Sequence, residues 1–65
     1  METPEYMKND DYKYAANYRK DGDYLKPYGG EEFKADLESN EFHKEVSMDI
    51  FTDGVEITKE EYEAI

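Results

Sequence analysis

Phe42-His43-Lys44-Glu45-Val46-Ser47-Met48-Asp49-Ile50-Phe51-Thr52-Asp53-Gly54-Val55-Glu56-Ile57 is the stretch whose reading decides the fold of this 65-residue chain. Asp-Gly between two runs of alternating polarity is a strong hairpin signal, because a type I′ turn needs positive φ at both central positions. With Asp53 and Gly54 as loop residues, Thr52 pairs with Val55, Phe51 with Glu56 and Ile50 with Ile57. That register places Met48, Ile50, Val55 and Ile57 on one face, with Phe42 and Val46 continuing it. His43, Glu45, Ser47, Asp49, Phe51 and Glu56 fall on the other face. A slip of one residue would mix the two sets, so turn and pattern support each other.

Thr58-Lys59-Glu60-Glu61 then reads as a capping box, the Thr hydroxyl accepting from the Glu61 amide while the Glu61 side chain reaches back. A short helix over 59–65 follows, with Tyr62 and Ile65, three apart, turned toward the sheet. On the N-terminal side, Pro27-Tyr28-Gly29-Gly30 is a break between two halves. Between that break and Phe42, residues 31–39 read as a short acidic helix with Phe33 and Leu37 four apart.

Two readings stand for the N-terminal part. With period two, Tyr12, Tyr14, Ala16 and Tyr18 share a face, and Asp21-Gly22 makes a hairpin turn pairing Lys20 with Asp23, Arg19 with Tyr24 and Tyr18 with Leu25. With period 3.6, Met7, Tyr14, Ala15 and Tyr18 form a stripe on one helix from Pro4 to Lys20. The hairpin is preferred, since Tyr favours strands and Asp10-Asp11 interrupt the stripe. Thr3-Pro4-Glu5 supplies a helix start in either case, with Tyr6 and Met7 on its first turn. The expected fold is therefore α+β, a single small domain over 1–65 with antiparallel hairpins and short helices.

Composition limits the interior. Leu, Ile, Val and Phe together make ten of the 65 residues, and the formal charge is −10. Seven Tyr and three Met add apolar bulk, so a thinly cored domain is expected, with self-association as one means of burying more surface. There are no cysteines, hence no disulfide framework and no thiolate site. No apolar run is long enough for a membrane span or a signal peptide, and a cytoplasmic setting is expected. Beginning at Met1, the chain reads as one whole small open reading frame.

Catalysis finds little to work with. His43 is the single histidine and is expected on the solvated outer face beside Glu45; alone it makes neither a zinc site nor a triad. Serines are few, and no Gly-rich phosphate loop is present. The run Asp49 to Glu60 has Asp, Asp, Gly and Glu at calcium-loop positions 1, 5, 6 and 12, but Phe51 fills the third ligand position and no helix is expected before it. No catalytic residue, metal or cofactor is expected, and the chain is read as a non-enzyme.

The charge is the feature outside the ordinary. A 65-residue globule spans about 28 Å, a length over which duplex DNA carries about 16 phosphates. A net −10 is more than half of that on one small body. Glu45, Asp49, Asp53, Glu56 and Glu60, with Glu31, Glu32 and Asp36, are the candidate acids for partner binding, and Phe51 is an apolar contact among them. Such a surface repels nucleic acid and anionic membranes and steers toward basic clefts, while tyrosines offer rigid amphipathic contacts. In size, acidity, tyrosine content and lack of cysteine the whole chain resembles small phage-encoded DNA-mimic inhibitors, anti-CRISPR proteins among them. The resemblance implies a basic, nucleic-acid-binding protein as partner, and action in a host cytoplasm. It carries no motif, so it assigns no residue roles. The other reading is a generic acidic interaction or regulatory domain without nucleic-acid mimicry.

Overall fold

A computed structural model describes residues 5–65. Its strands are β1 (Tyr6–Asn9), β2 (Tyr14–Arg19), β3 (Gly22–Pro27), β4 (Phe33–Lys34) and β5 (Val55–Glu56). Two helices, α1 (Glu41–Asp53) and α2 (Lys59–Ala64), complete it. The sheet order is β4-β3-β2-β1-β5, antiparallel throughout. The first four strands form a meander; α1 crosses back over one face and delivers β5 to the far edge beside β1. The radius of gyration is 10.6 Å. This is the expected α+β single domain, with several elements differently placed.

The centre of the fold is the register of four strands. Met7 lies opposite Ala16, Ala16 opposite Leu25, and Leu25 opposite Phe33. Directly opposed residues share a face, so these four make an apolar row across the sheet. Val46 and Ile50, one helical turn apart on α1, press onto that row and are fully buried with Ala16 and Leu25. Ala15, the next residue on β2, points the other way and is equally buried, packed with Ile57 and Tyr62. A central strand covered on both faces loses the half-buried alternation, and two alanines let a helix lie close on each side.

Polar ties hold α1 in place. The Asn40 side chain caps its start, accepting from the His43 amide at 3.1 Å. The Tyr18 hydroxyl donates to the Ser47 carbonyl at 2.9 Å, and the Ser47 hydroxyl donates to Asp23 Oδ2 at 2.8 Å. At its end the Gly54 amide donates to the Ile50 carbonyl at 2.9 Å.

The hairpin expected at Asp53-Gly54 does not form: residues 41–53 are helix, and Gly54 has φ −79°, outside the left-handed region. His43, Val46, Ser47 and Ile50 form an i, i+3, i+4, i+7 stripe, and a ready-made sheet for that stripe to cover outweighed the local turn signal. Met48, Val55 and Phe42, expected inside, are 58%, 55% and 50% exposed. Residues 31–39 contain β4 and turns where a helix was expected, since Phe33 is drawn into pairing with Leu25. The hairpin at residues 14–27 is present, but Arg19 pairs with Gly22 and Tyr18 with Asp23, so the loop residues are Lys20 and Asp21. The turn is thus one residue earlier than expected, which aligns Leu25 with Ala16 and Met7. Of the expected N-terminal helix start, Thr3 and Pro4 lie outside the described residues, while Tyr6 and Met7 belong to β1. The capped helix at the C-terminal end is as expected: Thr58 and Glu61 exchange both bonds, at 3.1 and 3.2 Å, and Tyr62 is buried.

Gly54 sits where α1, β5 and β1 converge. A Cβ there would meet the Ile50 carbonyl oxygen and lie 2.6 Å from that of Lys8. Gly54→Ala, whose backbone angles suit alanine, is therefore expected to cost about 2 kcal/mol or more, as overpacking of a tight backbone junction does. Urea unfolding checks this, and a loss below about 0.5 kcal/mol, the range of a neutral surface change, would contradict the close approach.

Candidate interaction surface

Helical periodicity arranges the acids of α1. Glu41, Glu45, Asp49 and Asp53 are each four residues apart, so they stand about 6 Å from one another along the axis and cover about 18 Å. Four residues overshoot one turn by about 40°, so the line drifts from the outer crest toward the β1–β2 turn. There Asp49 accepts from the Tyr12 hydroxyl at 2.6 Å, and Asp53 shares a small cleft with Asp10, Asp11 and Lys8. Among the described residues, ion pairs join Lys8 to Asp10 at 3.7 Å and Arg19 to Glu32 at 3.5 Å. None of the four α1 carboxylates is in an ion pair there.

This row is unfavourable for the helix that bears it. Like charges at i, i+4 each destabilise a helix by about 0.2–0.5 kcal/mol. Asp49 and Asp53 also sit near the negative end of the helix dipole, with no basic residue in the last turn to offset them. Packing of Val46 and Ile50 holds the helix despite its surface charge.

The sheet sorts its charges too. On strand positions of the face under α2 stand Lys8, Arg19, Lys26 and Lys34 and no acid; on the α1 face stand Asp23 and Glu56 and no base. Two of these bases, Lys26 and Arg19, are offset locally. Lys26 Nζ donates to the carbonyls of Tyr62 and Glu63 at 3.0 and 3.2 Å, neutralising the C-terminal end of α2. Arg19 lies over the Tyr24 ring and pairs with Glu32, which also accepts from the Tyr62 hydroxyl. A cavity of about 570 Å³ opens among these groups, and the buried Asn17 amide oxygen beside it has no hydrogen-bond partner among the described residues.

The residues expected to bind a partner divide accordingly. Glu45, Asp49 and Asp53 come together on the α1 row, though on a helix and not on the outer face of a hairpin. Phe51 is half exposed on the opposite flank of α1, its ring 5.6 Å from that of Tyr18. Glu56 is on the edge strand and Glu60 in the first turn of α2, away from the row. Glu31 and Glu32 line the cavity under α2, and Asp36 lies in the connection to α1, its amide donating to His43 Nδ1 at 3.1 Å. His43, expected to be solvated, is half-buried against the Phe33 ring at 5.0 Å. The calcium-loop reading fails on geometry, because its first five positions are helical. Glu41, Met48, Tyr12, Asp10 and Asp11 are additional members of the surface; the four-residue spacing of acids was the signal for Glu41, and no local pattern marks the other four.

Several phenols are pinned as hydrogen-bond donors. The Asp49 carboxylate pushes the Tyr12 hydroxyl up to about 12. Burial raises Tyr18 and Tyr28 to about 12, Tyr28 helped by the carboxylate of Asp10. Burial, then the Glu32 carboxylate, raises Tyr62 further still. The phenols of Tyr28 and Tyr24 hold Asp10 and Asp21 below the ordinary 3.8. A raised phenol stabilises the fold fully below the unfolded value of about 10, and that contribution fades as pH climbs toward about 12. The two lowered carboxylates contribute above 3.8 and lose their contribution as pH falls below it. The phenol resonances of Tyr12, Tyr18 and Tyr28 in an alkaline NMR titration are therefore expected to shift late and together with loss of the far-ultraviolet circular dichroism signal. Ionisation of Tyr12, Tyr18 and Tyr28 near pH 10 in an intact fold would contradict these contacts.

No protein-family model, curated protein or solved structure matches this chain.

Proposed function

We propose that this protein is an inhibitor that occupies the basic, nucleic-acid-binding cleft of a partner protein by imitating the charge of DNA. The observation that supports it is the α1 row, Glu41, Glu45, Asp49 and Asp53, which is held at a cost to the helix and outside any described ion pair. Its spacing of about 6 Å is on the scale of the 3.4 Å axial phosphate repeat of one DNA strand, at roughly half the linear density. Asp11 shares the cleft past the end of the helix with Asp53, where Asp10 is paired with Lys8. Arginines and lysines lining a DNA groove would meet carboxylates where they ordinarily meet phosphates.

The sorted sheet supports the same reading. On strand positions the bases stand on the α2 side and the acids on the α1 side, so no strand base stands under the α1 row. Among the described residues no helix is long and apolar enough to cross a membrane. The proposed site of action is the cytoplasm, that of a host if the protein is phage-encoded.

The test is capture of lysate proteins on the immobilised protein, followed by elution with duplex DNA. A mimic's target is released by the duplex and by salt, since both compete for the same basic groups. Glu41→Lys/Glu45→Lys reverses two exposed acids that make no described tertiary hydrogen bond and is expected to weaken capture by at least about tenfold while circular dichroism is unchanged. A target that duplex DNA does not displace, or that binds this variant equally well, would make the protein an acidic adaptor instead.

A further inference from the structure

Beside the acidic row, on the other flank of α1, lies an open groove of about 390 Å³ lined by Tyr18, Asp23, Ser47, Met48, Phe51 and Thr52. Met48 lines both this groove and a neighbouring one formed with Glu41, Lys44, Glu45 and Asp49. Met48 and Phe51 are 58% and 51% exposed, as much as Phe42 and Val55 elsewhere on the surface; here the two stand together along one groove.

The groove's walls are built. The Tyr18 hydroxyl is fixed on the Ser47 carbonyl, and the Phe51 ring stands edge-on to the Tyr18 ring at 87°. Asp23 is the one carboxylate lining it; the Ser47 hydroxyl donates to Asp23 Oδ2 and leaves the other carboxylate oxygen to a further donor. Apolar walls, two aromatic rings and a single fixed carboxylate together match one side chain. Arginine has a methylene stem to lie along Met48, and a planar guanidinium that stacks on aromatic rings and donates to a carboxylate. A second copy of this chain is a poor occupant, because two bodies of charge −10 repel.

We infer that this groove receives an arginine side chain of the partner, drawn from the basic cleft that the acidic row faces. The inference rests on the charge-mimic reading and adds to it the residue type that anchors the complex. The row supplies the long-range field and the salt dependence, while the groove supplies the short-range, desolvated contact that slows dissociation.

The probes are blocked tripeptides with a central arginine or a central citrulline, and an oligolysine, each titrated into the whole protein and followed by NMR. The arginine peptide is expected to shift the Met48 methyl and Phe51 ring resonances, and the citrulline peptide, isosteric and uncharged, to leave them in place. Asp23→Asn keeps the acceptor for Ser47 and is expected to weaken the arginine peptide by about tenfold, the loss of one charged hydrogen bond. Met48→Ala, at an exposed position, is a second variant with the same expected direction and an unaltered fold. Oligolysine is expected to shift Glu45 and Asp53 and reports on the row alone. Oligolysine shifts with a silent groove would overturn the arginine site and leave the charge-mimic reading standing. Arginine shifts in the groove with a silent row would do the reverse. Equal binding of the citrulline peptide, or no binding of any probe, would also overturn the arginine site.

Discussion

The structure depends on one contact, the seating of Val46 and Ile50 on the row Met7, Ala16, Leu25 and Phe33. Buried aliphatic side chains contribute about 1.5–3 kcal/mol each, and a domain of this size has roughly 3–10 kcal/mol of net stability in all. A handful of such residues therefore decides whether the chain folds. Seating α1 also fixes the topology: a helix laid across the meander from β4 back to β1 leaves β5 only the far edge to join. The chain then turns under the sheet, where Ile57 and Tyr62 close a second, smaller cluster on Ala15. Two consecutive alanines on the central strand make both approaches close, and bulkier residues at either position would push a helix off the sheet.

With so little apolar surface to bury, most side chains in this protein are free to serve the exterior, and they are not distributed at random. The strands send bases to one face and acids to the other. Under α2, Lys26 and Arg19 are taken up by helix carbonyls, a glutamate and aromatic rings. On the α1 side the helix carboxylates have no ion partner among the described residues, along a helix whose own electrostatics oppose them. A surface tuned for stability alone would intersperse lysines along α1 at i, i+4 and place them in its last turn. The departure from that rule is where a functional surface is expected, and the groove holding Met48 and Phe51 lies beside it.

The secondary structure of residues 42–57 was misread for an identifiable reason. A separation of four is a multiple of two and also close to one helical turn, so Val46 and Ile50 satisfy both periods. His43 and Ser47 fit only the helix, Met48 fits only the strand, and Asp53-Gly54 tipped the balance toward a turn. The same arithmetic protected the site: Glu45, Asp49 and Asp53, being four apart, share a face in either element. What the helix changes is their spacing, from about 13 Å per step on a strand to about 6 Å, which doubles the linear charge density. The β2–β3 turn slipped by one residue for a related reason, since Asp-Gly reads locally as a turn while the alignment of Leu25 with Ala16 and Met7 is non-local.

Sequence alone settled the quantities that do not depend on where atoms end up: the acidity, the lack of thiol chemistry, the α+β class from alternating and capped segments, and the terminal helix, whose Thr58–Glu61 box closes on itself within four residues. Tertiary structure decided the rest. Whether Val46 and Ile50 lie on a helix or a strand depends on a sheet assembled from residues 6–27, and no local rule contains that sheet. Which acids are paired, which flank of α1 holds the groove, and which face gathers the bases all follow from the register of strands far apart in the chain. Burial is a long-range property, and in this protein it outweighed the strongest turn signal in the sequence.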